Sequence, residues 1–338
     1  MPAKVTAQDV ARAAGVSQPT VSRVFTPGVT VSPAMADKVK RAAAELGYRP
    51  NTLARSLITG QSMTIGLIVA YLDNPFYTEA LEKLSRGLRA QGYHIIVFMA
   101  ANDAGNVDGV VNDLLAHQVD GIILASVAMS SALTDRLRDE GVPMVLFNRG
   151  SGDQSLSSVT SANHHGGREV ATFLLAGGHR RIAHISGWQG ASTGQDRAAG
   201  FAAALDEAGH TPFDIIDGMF NRDAAAQAAR DLFAGGAKPD AIFVGNDHMA
   251  FAVAEVLQGE LALSIPGDVS LVGYDDVAMA AWPSFSLTTL RQPANRMVDA
   301  VIDALMDQIG GNTAAQHIEI EGPLVIRQSA RVPEGWDK

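Results

Sequence analysis

The sequence predicts a two-part chain, an all-α helix-turn-helix head followed by a larger α/β core of two lobes built on parallel sheets. Three observations carry this. The first sixty residues place caps, apolar spacings and stops at the intervals of three short helices. From residue 62 onward short apolar strands alternate with amphipathic helices, and after a polar, glycine-bearing stretch the alternation starts again.

In the head, Thr6 caps a helix whose apolar positions Val10, Ala13 and Ala14 recur at helical intervals, and Gly15 ends it in a left-handed turn. Val16 bridges to a second helix capped by Ser17. Pro19 is tolerated in its first turn, where an amide would lack a partner anyway, and Val21 and Val24 face inward. Gln18, Pro19, Ser22 and Arg23 are left facing outward. A third helix starts at Ser32 and Pro33, turns Val39, Ala43 and Leu46 inward and stops at Gly47. Two helices joined in this way fit a motif whose second helix lies in the major groove of DNA, its N-terminal side chains at base edges.

Charge points the same way. Residues 1–60 hold eight Lys and Arg against three Asp and Glu, whereas the remaining residues hold 18 basic against 33 acidic ones. The formal net charge of −10 therefore conceals a polarised chain in which only the head is drawn to phosphates.

The core opens with strand TIGLIVA and helix NPFYTEALEKLSRGLRAQG. It continues with strand HIIVFMA, helix VDGVVNDLLAHQV, strand GIILAS, helix SSALTDRLRDEG and strand VPMVLFN. After GSGDQSLSS come helix GGREVATFLLAGG, strand RIAHISG, helix DRAAGFAAALDEAG, strand AIFVGN, helix HMAFAVAEVLQG and strand SLVGYDD. Two similar lobes are the simplest reading.

Composition narrows the function classes. The 338 residues exceed one ordinary domain core, and 47% hydrophobic with 18% charged residues suits a folded globular chain. There is no cysteine, hence no disulfide framework, thiolate metal site or thiol nucleophile, which suits a reducing cytoplasm. The chain opens without an apolar export segment, and runs such as IGLIVAYL fall short of the roughly 20 residues that span a bilayer, so neither export nor membrane insertion is expected. No GxxxxGK, HExxH or zinc-ligand spacing occurs. The adjacent His164 and His165 read as a polar helix start rather than a metal site. No cofactor, metal or catalytic residue is expected.

The order VTAQDVARAAGVS, PTVSRVF, VS, AAAELGYRPN and LARSL resembles the start of LacI-family (LacI/GalR) transcriptional regulators. The resemblance implies that Gln18, Pro19 and Arg23 read bases, with Arg23 on the O6 and N7 of a guanine for about 1–3 kcal/mol of discrimination. Pro19 departs from the family's polar readout and offers apolar contact alone, such as to a thymine methyl. Thr20, Ser22 and Lys4 fall to phosphate contacts, and the caps Thr6 and Ser17 join the DNA-binding set. Asn51 to Thr59 resembles the family's hinge helix, too short to stand alone and ordered when two copies meet on DNA. In it Asn51 joins the DNA-binding set, Arg55 lies near the backbone, Ala54 permits close approach and Leu57 wedges into a central base step from the minor groove. The alternative is an ordinary linker leucine packed on its own domain.

For the core, the resemblance implies the periplasmic-binding-protein type I fold, with the chain crossing between lobes and returning near LTTLRQP. The expected divisions are a head at 1–50, a hinge helix and linker at 51–61, and a core at 62–338. The core's lobes are expected at about 62–161 and 162–290, with a crossing back after 290. Ligands in such folds sit at strand C-terminal ends. Residues there that match family pocket motifs are Asp73, Asn74, Pro75, Phe76 and Tyr77, then Arg197, Asn246, Asp247, Asp275 and Asp276. A guanidinium, an amide and a carboxylate converging on one ligand suit a polyhydroxyl compound. Phe76 and Phe220, with Trp188 as a weaker candidate, are placed to stack on a ring. Asn148 and Arg149 end VPMVLFN, and Arg149 favours an anionic ligand such as a sugar acid. The alternatives are a structural Arg197–Asp275 ion pair and core positions for Phe76 and Phe220.

These readings converge on a cytoplasmic, nucleoid-associated regulator, in the simplest case a repressor. It binds a pseudo-palindromic double-stranded operator as a homodimer and is controlled by a small polar effector, a sugar, sugar acid or similar compound. The tail RVPEGWDK lacks leucine heptads, so a dimer is expected rather than a tetramer. A solute-binding protein would share the core but not the head, and an enzyme would need a nucleophile and base that do not stand out.

Overall fold

A computed structural model describes residues 5–25, 29–49, 60–100, 104–127 and 130–336. The chain divides into two compact units, Met1–Ser62 and Met63–Lys338.

The first unit holds α1 (Ala7–Ala14), α2 (Gln18–Val24) and α3 (Pro33–Leu46). Thr6 closes a capping box: its amide donates to Asp9 Oδ2 at 3.0 Å, and its hydroxyl accepts from the Asp9 amide at 3.3 Å. Gly15 and Gly47 end α1 and α3 at φ 59° and 68°, where a Cβ would be strained. Val10, Ala11, Ala14, Val21, Val39, Ala42 and Ala43 form the buried core. Two expected inner residues are instead outside it. Ala13 is exposed, because the chain leaving α1 folds back over Ala11, whose carbonyl accepts from the Val16 amide at 2.9 Å. Leu46 is 39% exposed, because Tyr48 folds back to the Ala43 carbonyl at 2.8 Å and packs near Phe25 in its stead. Ser17 and Ser32 hold their N-cap positions without a side-chain capping bond, and Ser17 Oγ instead pairs with Thr20 Oγ1 at 2.9 Å.

The second unit carries two six-stranded sheets. The strands are β1 (Thr64–Val69), β2 (His94–Met99), β3 (Gly121–Ala125), β4 (Met144–Phe147), β5 (Ser157–Ser161), β6 (Ile182–Ser186), β7 (Ile215–Asp217), β8 (Ala241–Val244), β9 (Ser270–Asp275), β10 (Thr288–Arg291), β11 (His317–Ile320) and β12 (Leu324–Val325). One sheet runs β11-β5-β4-β3-β1-β2 and is parallel throughout. The other runs β12-β10-β9-β8-β6-β7, with only β12 antiparallel. The chain passes between the sheets after β5, after β10 and after β11. Helix Ala294–Ile309, which follows β10, returns to pack on the first sheet.

Helix Asn163–Ala176 lies hard against helix Ser192–Glu207. A Cβ on Gly167 would stand 2.2 Å from the Arg197 carbonyl oxygen, and one on Gly200 would stand 1.9 Å from that of His164. Glycines at both points let the backbones touch, and this contact fixes where Arg197 emerges. Both helices begin earlier than their apolar periodicity, so His164 and His165 lie in a first turn. No helix among the described residues is long and apolar enough to cross a membrane.

Candidate functional site

On the head, Ser17, Gln18, Pro19, Ser22 and Arg23 are exposed on α2 and Thr20 is half-buried, while Thr6 is exposed but engaged with Asp9. The outward set expected from spacing is therefore the outward face of the helix. Lys4, Asn51, Ala54, Arg55 and Leu57 lie outside the described residues.

In the core, most of the expected polar residues stand where strands end. Asn74 caps helix Pro75–Ala90, its Oδ1 accepting from the Phe76 amide at 3.0 Å, and its Nδ2 reaches across to Asp275 Oδ2 at 3.1 Å. Tyr77 turns its hydroxyl to Ser126 Oγ and accepts from Asn148 Nδ2 at 3.0 Å. Ser126 and Asn148, at the ends of β3 and β4, both take left-handed backbone, φ 56° and 54°, so the chain turns sharply at the sheet's edge. Phe76 is 2% exposed and stacks parallel to Phe147 at 6.1 Å, which makes it a core residue first.

Arg149 is the unusual member. It is 5% exposed, its Nη2 donates to the Ser126 carbonyl at 3.0 Å, and its Cζ lies 5.7 Å from the Trp188 ring centre. Its Nε and Nη1 have no partner among the described residues. Burial pulls its pKa below the ordinary arginine value.

Arg197 and Asp275 form a tighter group. The Arg197 guanidinium lies 3.6 Å from the Tyr274 ring centre, donates to Asn163 Oδ1 at 2.8 Å and to the Gly245 carbonyl at 2.6 Å, and sits 3.8 Å from Asp275. Asp275 (φ 123°) also accepts from Gln292 Nε2 at 2.6 Å. Burial pushes the Asp275 pKa up, and the nearby Arg197 opposes that rise. The remaining expected residues serve the frame. Asn246 caps helix Asp247–Glu255 through the Met249 amide at 2.9 Å. Buried Asp247 accepts from Thr289 Oγ1 at 2.6 Å and the Val277 amide at 3.0 Å, and burial holds its pKa well above the usual carboxylate range. Half-buried Phe220 covers Gly187, where a Cβ would stand 2.0 Å from its ring. Asp73 faces His248 at 3.4 Å, and Asp276 pairs with Arg291 and Arg327, each at 2.6 Å.

Asn74, Arg197 and Asp275 are thus brought together, as are Tyr77 and Asn148, with Arg149 beside Ser126. Among the described residues, two cavities border this layer. One of about 360 Å³ touches Phe76, Asp275 and Gln292, and one of about 140 Å³ touches Arg149, Gly150 and Ser192. Sequence reasoning missed Gln292 and Asn163, both buried. Gln292 lies in LTTLRQP, and it meets Asp275 because β10 pairs beside β9.

Residues 62–328 match the family model for periplasmic binding proteins and the sugar binding domain of the LacI family, and residues 6–51 match that for bacterial regulatory proteins of the lacI family. The chain belongs to the LacI family. Among its relatives, the HTH-type transcriptional repressor PurR of Photobacterium profundum is 32% identical over 330 residues, covering 96% of this chain and 98% of the relative. The ribose operon repressor of Escherichia coli is 32% identical over 329 residues, covering 96% and 99%. The crystal structure of the Lac repressor dimer bound to operator and the anti-inducer ONPF aligns with a TM-score of 0.87 at 27% identity, covering 97% of this chain and 99% of that one. The complex of transcriptional regulator CelR with cellobiose aligns with a TM-score of 0.73 at 32% identity, covering 96% and 100%. A helix-turn-helix head followed by a two-lobed, mainly parallel α/β core is therefore the LacI-family architecture in this chain, as the resemblance implied.

Proposed function

We propose that this LacI-family protein is a transcriptional repressor that binds a pseudo-palindromic operator as a homodimer and is controlled by a small polar metabolite, a sugar or sugar derivative, held between the lobes. The observation that carries the effector reading is the Asn74–Asp275 hydrogen bond, which joins the start of a helix on one sheet to the end of a strand on the other at 3.1 Å. A polar ligand that competes for these groups shifts how the lobes meet. The relatives' names as repressors, and the similarity to a repressor dimer on its operator, support the DNA reading.

In this reading Arg23, Gln18 and Pro19 read bases, Thr20, Ser22 and Lys4 hold phosphates with Thr6 and Ser17 at their helix starts, and Leu57 wedges the central step beside Asn51, Ala54 and Arg55. The head is 1–50, the hinge 51–61 and the core 62–338. β1 follows the hinge directly in the chain, so a lobe rearrangement is transmitted to it. Effector binding uses Asn74, Phe76, Tyr77, Asn148, Arg149, Arg197, Phe220, Asn246 and Asp275. The protein works in the cytoplasm on the nucleoid and performs no catalysis.

The experiment titrates candidate metabolites into the protein–operator complex and follows fluorescence anisotropy of the labelled DNA. Coupling between two sites is reciprocal and typically five- to 150-fold. A metabolite that binds the core and moves operator affinity by that factor supports the reading, whereas one that binds without moving it contradicts the coupling.

A further inference from the structure

Arg149 is a cation placed where proteins seldom leave one alone. It is 5% exposed and, among the described residues, has one hydrogen bond, to the Ser126 carbonyl, while Nε and Nη1 are buried without partners. Among the described residues, the groups whose charge bears on it are the hydroxyls of Tyr77 and Tyr71, and no carboxylate is one of them. Arg197 shows the contrast: also buried, it has an amide, a carbonyl and the carboxylate of Asp275 around it, whereas Arg149 has one carbonyl and the Trp188 ring. A buried charge without a partner is costly and persists where something else supplies the counter-charge.

The surroundings of Arg149 fit an anion. The cavity of about 140 Å³ that it lines is shared with Gly150, Gly190 and Ser192. The Gly150 amide donates to Ser192 Oγ at 2.8 Å, which ties the loop after β4 to the first residue of helix Ser192–Glu207. That 16-residue helix has Ala191 at its N-cap, no side-chain capping bond and no acidic residue in its first turn. Its positive end is uncompensated by its own sequence. The space is smaller than a whole-ligand pocket and suits a charged head, the remainder of the ligand lying along the cleft.

We propose that the effector carries an anionic oxygen group, a carboxylate or a phosphate, which seats on Arg149 at the start of helix Ser192–Glu207. This rests on the reading that the cleft takes a small polar effector and narrows its class to sugar acids or sugar phosphates. The Arg149 guanidinium and the first-turn amides are the donors.

The test measures thermal stability of the full chain and of Arg149→Met, which keeps the apolar stem and removes the charge. Probes are inorganic phosphate and acetate against chloride at matched ionic strength, then glucose 6-phosphate, gluconate and glucose. The proposal expects ligand-free Arg149→Met to be at least as stable as the parent. It expects phosphate or acetate to stabilise the parent and not the variant, with at least tenfold weaker apparent anion affinity in the variant. Preference for phosphate and glucose 6-phosphate assigns a sugar phosphate, and preference for acetate and gluconate assigns a sugar acid. A variant less stable than its parent assigns Arg149 a structural role and overturns the proposal, as does equal or absent response to every anion in both proteins. Glucose stabilising both proteins alike, with no anion separating them, overturns the anionic class and leaves a small polar effector standing.

Discussion

Asn74 Nδ2 donates to Asp275 Oδ2 at 3.1 Å across 201 residues of sequence, so the cap of the first core helix is also a clasp between the two sheets. Both partners are otherwise committed, Asn74 to the Phe76 amide and Asp275 to Gln292. The clasp holds only when one side donates and the other accepts.

Asn74→Asp keeps the helix cap and reverses the clasp. Two carboxylates then face each other, and Asp275 is already pushed up by burial. A carboxylate whose folded pKa is raised favours the folded state at low pH and loses that contribution as pH rises through the folded pKa. The variant should lose about 2 kcal/mol at pH 8 and clearly less at pH 5.5, read by urea unfolding. An equal loss at both values would remove like-charge repulsion as the cause.

Gly167→Ala and Gly200→Ala should each destabilise the core by about 1–3 kcal/mol, since the new Cβ meets backbone oxygen at 2.2 and 1.9 Å and backbone gives way less readily than side chains. Gly236→Ala, with nothing within 4 Å of the added Cβ, is the control and should change stability little. Urea unfolding of the three variants checks the ranking.

How far the sequence could be read follows from where chemistry is local. The head was legible because Thr6, Gly15, Pro33 and Gly47 act within one turn of where they stand. β5 was not, because Ser157, Ser158, Thr160 and Ser161 look like a polar loop yet are buried in a strand between β4 and β11. Helices Arg222–Ala234 and Ala294–Ile309 also went unread, as did β7, β11 and β12. In the site, residues at strand ends were found by position, but Gln292 acquires its partner Asp275 only when β10 pairs with β9. The unpaired state of Arg149 is a property of packing that no spacing records.

His184 is fully buried against Phe243, ring centres 4.4 Å apart, with Nδ1 on the Phe243 carbonyl at 3.0 Å and Nε2 without a partner among the described residues. Burial drops its pKa from 6.5 to about 4. As pH falls below 6.5 the unfolded chain takes up the proton first, so this residue's contribution is lost between pH 6.5 and 4, about 3 kcal/mol in full. His184→Gln should flatten the acid limb of the stability profile by that order. Superimposable limbs for parent and variant would contradict the assignment.

Arg23→Ala should weaken specific operator binding by about 1–3 kcal/mol, at one base position in each half-site, while leaving non-specific binding nearly intact. Competition titrations with single-base operator variants check this, and uniform weakening across all sequences would move Arg23 to the phosphates.

The central claim is that this LacI-family chain reads DNA as a pair. Selection of bound sequences from a random duplex pool by the purified full chain tests it most directly. The expected result is an inverted repeat with two half-sites, bound by two copies of the chain, in which Arg23→Ala relaxes one base position of each half-site. A pool that yields no motif, or a single half-site bound by one copy, would contradict it.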